Sequence, residues 1–462
     1  MINLQLSRSQ LIALILIPSI FFVAFLSPLS LPLDNKQLLS ACLILSALVL
    51  LATSAISEHL SMLIFMTAAM LLAIAPAEVV FSGFSSTACW LIFSGLIIGI
   101  AVNETGLAKR IGNTFTGRLD KSYTHLISGI VLLSILLGFL MPSSIGRAVL
   151  LIPIAMAMGT SCGFKEGSNG QIGVALAAAF GCHVPTFAVL PANVPNMVLI
   201  GAAETMHNWT PMYAEYLLLH FPVLGFIKAL LIIAVIVWLF PDTPTRSSRS
   251  VAKEPVSKQE YKLMVIMMVT LGFWLTDSLH HISAAWIGLA AVCILLMPRI
   301  GVVSQQSFQK KFNISSLVFV VGVLGVGALI NYSGIGDVVG EQLNTWLPLS
   351  SEHPLLSYLS LSLTAFTTGM VATLPGVPAI LTPFAEQMSD KSGFTLEAVL
   401  MTQVLGFSTI LFPFQSAPLM VGMQLAGVSI RHAAKLCFVL TPITILVLFP
   451  LDYLWWKILG WL

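Results

Sequence analysis

From Gly138 to Pro153 the chain reads Gly-Phe-Leu-Met-Pro-Ser-Ser-Ile-Gly-Arg-Ala-Val-Leu-Leu-Ile-Pro, inside a long apolar region. This is a poor middle for a helix that crosses lipid. Pro142 and Pro153 withdraw backbone donors, Gly146 lets the chain turn, and Arg147 is costly at membrane depth. Broken backbone persists there only when it is buried in protein or lines a wet cavity. The stretch therefore predicts a helical hairpin that enters the membrane and turns back. Its tip hydroxyls, Ser143 and Ser144, would face a polar site near mid-membrane.

The remaining sequence supplies the surroundings such a hairpin needs. Of the 462 residues 57% are hydrophobic and only 9% are charged, which excludes a soluble domain and predicts an all-α polytopic membrane protein. A net charge of +2 without a basic tract gives no reason to expect nucleic acid. The longest polar stretch, 241–262, reads as a linker. Cys42, Cys89, Cys162, Cys182, Cys293 and Cys437 show no metal-ligand spacing and read as buried free thiols. No A-x-A-like site closes the apolar run from Leu11 to Phe25, so it reads as a retained first helix rather than a signal peptide.

Cations alternate between connections. Arg8, then Lys109, Arg110, Arg118 and Lys121, then Lys165, fall on one side. So do Arg246, Arg249, Lys253, Lys258 and Lys262, then Arg299, Lys310 and Lys311, and finally Arg431 and Lys435. The other connections carry Asp34, Glu78, Glu204, Asp277, Asp337, Glu341, Glu352 and Asp390. The positive-inside rule then places the N-terminus and the linker in the cytoplasm. The alternation closes only if 122–163 and 352–390 are re-entrant hairpins, entering from inside and outside respectively. About 11 transmembrane helices remain.

The two halves repeat. Asn103-Glu-Thr-Gly-Leu ends one span and Asn331-Tyr-Ser-Gly-Ile ends its counterpart. The broken tip Met141-Pro-Ser-Ser-Ile-Gly is echoed by Ala372-Thr-Leu-Pro-Gly-Val-Pro. A helix broken around Pro191-Ala-Asn193-Val-Pro-Asn196 is echoed by one broken around Phe412-Pro-Phe-Gln415-Ser416-Ala-Pro418. Opposite charge orientation makes this an inverted repeat, an architecture of secondary transporters whose site lies where the broken helices meet.

On these motifs the chain resembles the divalent anion:sodium symporter family of the ion transporter superfamily, over nearly its whole length. The residues are Glu104-Thr-Gly-Leu-Ala-Lys-Arg110, the hairpin running into Leu151-Ile-Pro-Ile154, the break Asn193-Val-Pro-Asn196-Met-Val-Leu-Ile-Gly201, and the weaker second copy. The family carries a Ser-Asn-Thr tip on each hairpin and a Thr-Pro-Pro-Asn-like break in each unwound helix. The resemblance implies a homodimer with a fixed scaffold and an elevator-like transport domain, binding a dicarboxylate or sulfate together with sodium. The scaffold would comprise 1–121 and 263–348, and the transport domain 122–240 and 349–462, joined by the cytoplasmic linker 241–262.

The expected substrate site comprises Ser143, Ser144, Arg147, Asn193, Asn196, Thr373, Gln415 and Ser416, with Ser143, Ser144 and Asn196 offered to sodium as oxygen ligands. The tips depart from the family pattern at Ser144 and Ile145, and at Leu374 and Pro375. Arg147 has two readings: a fixed positive charge at the site, in place of an ion or on an anionic group, or a side chain that snorkels or ties hairpin carbonyls together. His183 reads as a buried neutral histidine, and Lys228 as a cation that pairs or snorkels. Asp and Glu fall almost wholly in connections, and no core carboxylate is expected. That argues against a cation/proton antiporter and against a membrane enzyme, and no P-loop is present. A proton-coupled anion carrier is the alternative to sodium coupling. The setting expected is a bacterial inner membrane.

Overall fold

The computed structural model describes residues 7–26, 33–107, 110, 122–141, 143–245, 255–336, 338–339 and 346–462. Lys109, Arg118, Lys121, Pro142, Arg246, Arg249, Lys253, Asp337 and Glu341, used above for charge or tip, lie outside those residues. All regular structure among the described residues is helical. The first half comprises α1 (Arg8–Leu26), α2 (Asn35–Thr53), α3 (Glu58–Leu71), α4 (Thr87–Thr105), α5 (Tyr123–Leu140), α6 (Ser144–Ser161), α7 (Asn169–Gly181), α8 (Val194–His207) and α9 (Tyr213–Leu239). The second comprises α10 (Lys258–Leu275), α11 (Ala284–Leu296), α12 (Ile314–Tyr332), α13 (Pro354–Val371), α14 (Gly376–Leu381), α15 (Ala385–Ser392), α16 (Leu396–Phe407), α17 (Ala417–Leu425) and α18 (Ile430–Leu459). Among the described residues nine helices are long and apolar enough to cross a membrane.

Local sequence sets the ends of the repeated spans. In α4, Ser86 accepts from the Cys89 amide at the start, and Gly106 in the left-handed region stops the helix at φ 75°. Its counterpart α12 runs into Gly334 at φ 70°. The two Asn-x-x-Gly sequences are thus two copies of one helix stop, since glycine adopts that conformation without a Cβ penalty.

Packing repeats as well. α2 lies on α3 as α10 lies on α11, and α5 lies on α7 as α13 lies on α16. Glycine makes the last two approaches close. A Cβ on Gly181 would stand 2.8 Å from Ser134 Oγ of α5, and one on Gly406 2.3 Å from Ala365 Cβ of α13. Other contacts are exchanged between halves: α3 packs on α12 and α11 on α4, while α6 packs on α17 and α14 on α8. The long helices α9 and α18 cross antiparallel. The C-terminal part of α9 meets the N-terminal part of α18 and the reverse, and Trp455 Nε1 donates to Leu218 O at 3.0 Å. Each holds a π-helical segment near its middle, Phe221–Ile227 and Thr444–Leu448.

Contacts between connections sort them into two ends, as the charge alternation does. Arg110 meets Glu260 (2.8 Å), Lys311 meets Glu104, and Thr245 N donates to Cys162 O (3.0 Å). On the other side Thr87 N donates to Glu204 (2.7 Å), Gln37 Nε2 to Ser333 O (3.1 Å), and Tyr213 N to Asp277. Two expectations fail. Asp452 is a core carboxylate, fully buried in α18, with Oδ2 accepting from Tyr358 OH at 3.0 Å. It sits mid-run among apolar neighbours, and its partner Tyr358 comes from α13. Cys293, on α11, is exposed rather than buried.

Candidate functional site

The first hairpin turns between α5 and α6, and the first break separates α7 from α8. In the break the chain makes two short 3-10 turns, Pro185–Ala188 and Leu190–Ala192, before α8 starts at Val194 with Pro195 in its first turn. These prolines bring no N–H, so the carbonyls that the break frees need side-chain donors. Asn196 Nδ2 lies within bonding distance of Phe187 O (3.0 Å), Val189 O (3.1 Å) and Leu190 O (3.3 Å). Tyr216 OH also donates to Phe187 O at 2.9 Å. Asn193 Nδ2 donates to Thr186 Oγ1 at 3.1 Å.

Arg147 joins the tip to the break. Its Nε and Nη2 donate to Cys182 O at 3.1 and 2.8 Å, and Nη2 also to Thr186 Oγ1 at 2.9 Å. Nη1 donates to Met141 O at the tip and to Ala192 O at 3.1 Å. A guanidinium has five N–H donors, and these bonds engage all of them. Arg147 is fully buried, with no carboxylate among these partners. It is therefore a brace in this conformation, and at the same time a fixed charge where tip and break meet. Snorkelling is excluded by its burial.

The other first-half residues divide by what their oxygens do. Ser143 caps α6, accepting from Gly146 N at 3.1 Å, and Ser144 is buried beside it. Asn193 Oδ1 and Asn196 Oδ1 are buried without a hydrogen-bond partner. His183 is buried, its ring edge-on to Phe187 at 4.7 Å and both nitrogens unpartnered. In the second half Thr373 Oγ1 at the tip is likewise buried and unpartnered. Gln415 ties break to hairpin: Oε1 accepts from Leu411 N (3.0 Å) and Phe412 N (2.7 Å), and Nε2 donates to Gly369 O (2.7 Å). Ser416 caps α17, accepting from Leu419 N at 3.3 Å.

The family described as "Sodium:sulfate symporter transmembrane region" matches residues 8–462. The chain belongs to that family. It is an integral membrane transporter and not an enzyme. The sequence is 23% identical to the L-tartrate/succinate antiporter of Escherichia coli K12, over 73% of this chain and 72% of that protein. It is 25% identical to the chloroplastic dicarboxylate transporter 2.1 of Arabidopsis thaliana, over 82% of this chain and 70% of that one. The YdaH transporter of Alcanivorax borkumensis shares the fold, with a TM-score of 0.57 at 16% identity, covering 93% of this chain and 99% of that one.

Within this family member the structure draws in residues that the motifs did not select. Thr186 is one, because its hydroxyl receives Arg147 and Asn193 together. Lys228 of α9 is another. It does not snorkel: it is buried, and Nζ donates to Ser408 O at 2.9 Å. It lines a small cavity with Phe180, Val184, Ser408, Thr409 and Thr444, between the two breaks. A lone lysine in an apolar span was the available signal. A larger cavity of about 410 Å³, lined by Glu78, Ser82, Thr205, Asn331 and Tyr332 among others, touches neither tip nor break.

Proposed function

We propose that this chain is a secondary transporter of small dianions, a dicarboxylate or sulfate, bound between the two hairpin tips and the two breaks. The observation that carries the reading is Arg147, a buried cation without a carboxylate partner that bridges the first tip and the first break. The relatives named for tartrate, succinate and dicarboxylate support the substrate class. Ser143, Ser144, Asn193, Asn196, Thr373, Gln415 and Ser416 would line the site around that charge. The working unit is a homodimer in a bacterial inner membrane, with the basic end and the N-terminus in the cytoplasm. Segments 122–240 and 349–462 move as an elevator against 1–121 and 263–348, and both hairpins are re-entrant. Thermal unfolding of purified protein with a panel of anions tests the substrate class. Succinate or sulfate raises the midpoint, whereas protection only by cations or neutral solutes refutes the reading.

Sodium is the ion in the family's description, and it needs a shell of oxygen ligands. The expected ligands were Ser143, Ser144 and Asn196. Ser143 Oγ is engaged by an amide, and the carbonyls of Met141, Cys182 and Ala192 are engaged by Arg147. Asn193 Oδ1 and Asn196 Oδ1 remain unpartnered. These two amide oxygens and the buried Ser144 hydroxyl, beside the Arg147 guanidinium, make a sparse and positively charged surrounding for a sodium ion. A second reading, proton coupling or cation/proton antiport, is favoured by Asp452, whose buried Oδ1 has no partner. Uptake driven by an imposed pH gradient and lost in Asp452→Asn would support it.

A further inference from the structure

A short helical piece precedes each repeated span: Ala77–Val80 with the turn Ser82–Phe84 before α4, and Gln305–Lys311 before α12. Each piece meets the end of the other span. At the basic end, Gln305–Lys311 reaches the end of α4: Ser307 Oγ donates to Glu104 Oε2 at 2.8 Å, and Lys311 Nζ donates to Oε1. At the acidic end the matching corner is a cavity of about 410 Å³, which Glu78 and Ser82 line together with Asn331 and Tyr332 of α12. In the repeat, Asn331 and Tyr332 stand where Asn103 and Glu104 stand in the other copy. One corner is thus filled by an ammonium on a carboxylate. The other has its carboxylate and, among the described residues, no side-chain cation on it: Glu78 forms no ion pair within 4.0 Å. Ser82 Oγ is buried without a hydrogen-bond partner. The remaining wall is α8, through Thr205. Beside the cavity α8 and α12 are tightly packed, since a Cβ on Gly327 would stand 2.1 Å from Met206 Cε.

We propose that this corner binds a small organic cation with a primary ammonium group, in the place that Lys311 fills in the other copy, and that the bound amine slows the carrier. A primary ammonium has three N–H donors. The lining offers acceptors of the kinds it needs: the Glu78 carboxylate, the Ser82 hydroxyl and the Asn331 amide oxygen. The Tyr332 ring adds a face on which a cation can rest. The cavity has the volume of a small-molecule site rather than of a bare ion. Among the described residues no group of three or more acidic, histidine or cysteine side chains is placed to hold a metal. The effect on rate rests on the elevator reading above, whereas the binding does not. In that reading α12 belongs to the scaffold and α8 to the transport domain. An amine held by Glu78 and Asn331 and touching Thr205 spans the seam between them. It has to leave before the two can slide.

The probe is n-butylammonium, which is the lysine side chain without its backbone. A ligand that binds only the folded protein raises the unfolding midpoint. Full-length protein in detergent should gain about 2 °C or more in butylammonium chloride over sodium chloride or tetramethylammonium chloride of equal ionic strength. Glu78→Gln should abolish the gain. Ser82→Lys, which supplies the ammonium from the chain, should raise the midpoint by itself and remove the response to the amine. No gain with butylammonium, an equal gain with sodium or tetramethylammonium, or an undiminished gain in Glu78→Gln overturns the site. Should Glu78→Gln fail to fold, an undiminished gain in Ser82→Lys overturns it equally. In liposomes, external butylammonium should slow uptake of labelled succinate at least twofold in the natural protein and leave Glu78→Gln unaffected. Binding with unchanged uptake overturns the slowing. Absence of any dianion movement overturns the dianion reading instead, and the thermal measurement still decides the site.

Discussion

A Cβ placed on Gly138 in α5 would stand 2.6 Å from Thr186 Cγ2 and 3.3 Å from Thr186 Cβ. Carbon atoms in good contact sit about 3.5–4.0 Å apart, so Gly138→Ala must push α5 and the first break apart by roughly 1 Å. Overpacking of this kind costs about 1–3 kcal/mol. The functional cost is larger, because Thr186 Oγ1 receives both Arg147 Nη2 and Asn193 Nδ2. A misplacement of about 1 Å at a binding site can cost on the order of 100-fold in rate. We expect Gly138→Ala to lower the thermal midpoint and to slow dianion uptake in liposomes by roughly 10- to 100-fold. Thr186→Ser removes the clashing methyl and keeps the hydroxyl. The double variant Gly138→Ala/Thr186→Ser should recover most of both losses. If it is as slow and as unstable as Gly138→Ala alone, the close approach of Gly138 to Thr186 is not what positions the clamp.

Three further outcomes are expected. Asn196→Leu takes away the Nδ2 group that serves Phe187 O, Val189 O and Leu190 O. Denaturation in detergent should register a loss of about 2–5 kcal/mol, and no loss would mean that water replaces the amide. Hydrogen bonds from Arg110 hold the Glu260 carboxyl down to about 2. A depressed carboxylate stabilises the fold above its unfolded pKa of roughly 4.3, and that contribution fades as pH falls toward 2. The midpoint gap between the natural protein and Glu260→Gln should therefore be constant from pH 8 to pH 6 and narrow progressively below about pH 4.3; a gap independent of pH contradicts the pairing. In a background without Cys293, the exposed cysteine, an impermeant thiol reagent on intact cells should label Ser351→Cys and spare Ser257→Cys. Equal labelling of both would overturn the inverted topology.

How far the sequence carries depends on the range of the interaction. Helix stops are local: Gly106 and Gly334 are read from glycine alone, and the structure has left-handed backbone at both. The hairpins and breaks are legible for a similar reason, because proline removes a donor wherever it stands. What a buried cation meets is not local. The acceptors of Arg147 are Met141, Cys182, Thr186 and Ala192, drawn from a tip and a break. Lys228 finds Ser408 across 180 residues, and Asp452 finds Tyr358 across 94. Those carbonyls and hydroxyls belong to residue types that carry no special mark in a sequence. Sequence therefore leaves both readings of Arg147 open, and nothing in the apolar run around Asp452 marks its distant partner.

The exchanged arms have a consequence for how the chain comes to be made. α6 emerges from the ribosome well before α17, the helix it packs against, which follows about 250 residues later. At synthesis rates of about 5–20 residues per second, the first hairpin waits roughly 10–60 s for its cover. Throughout that interval Arg147 and the freed carbonyls of the first break depend on partners from the first half alone, among them Asn196 and Tyr216. The five bonds of Arg147 use acceptors that are all in the first half. The clamp can thus close before the second half exists, and it would keep the nascent tip folded until its partner arrives.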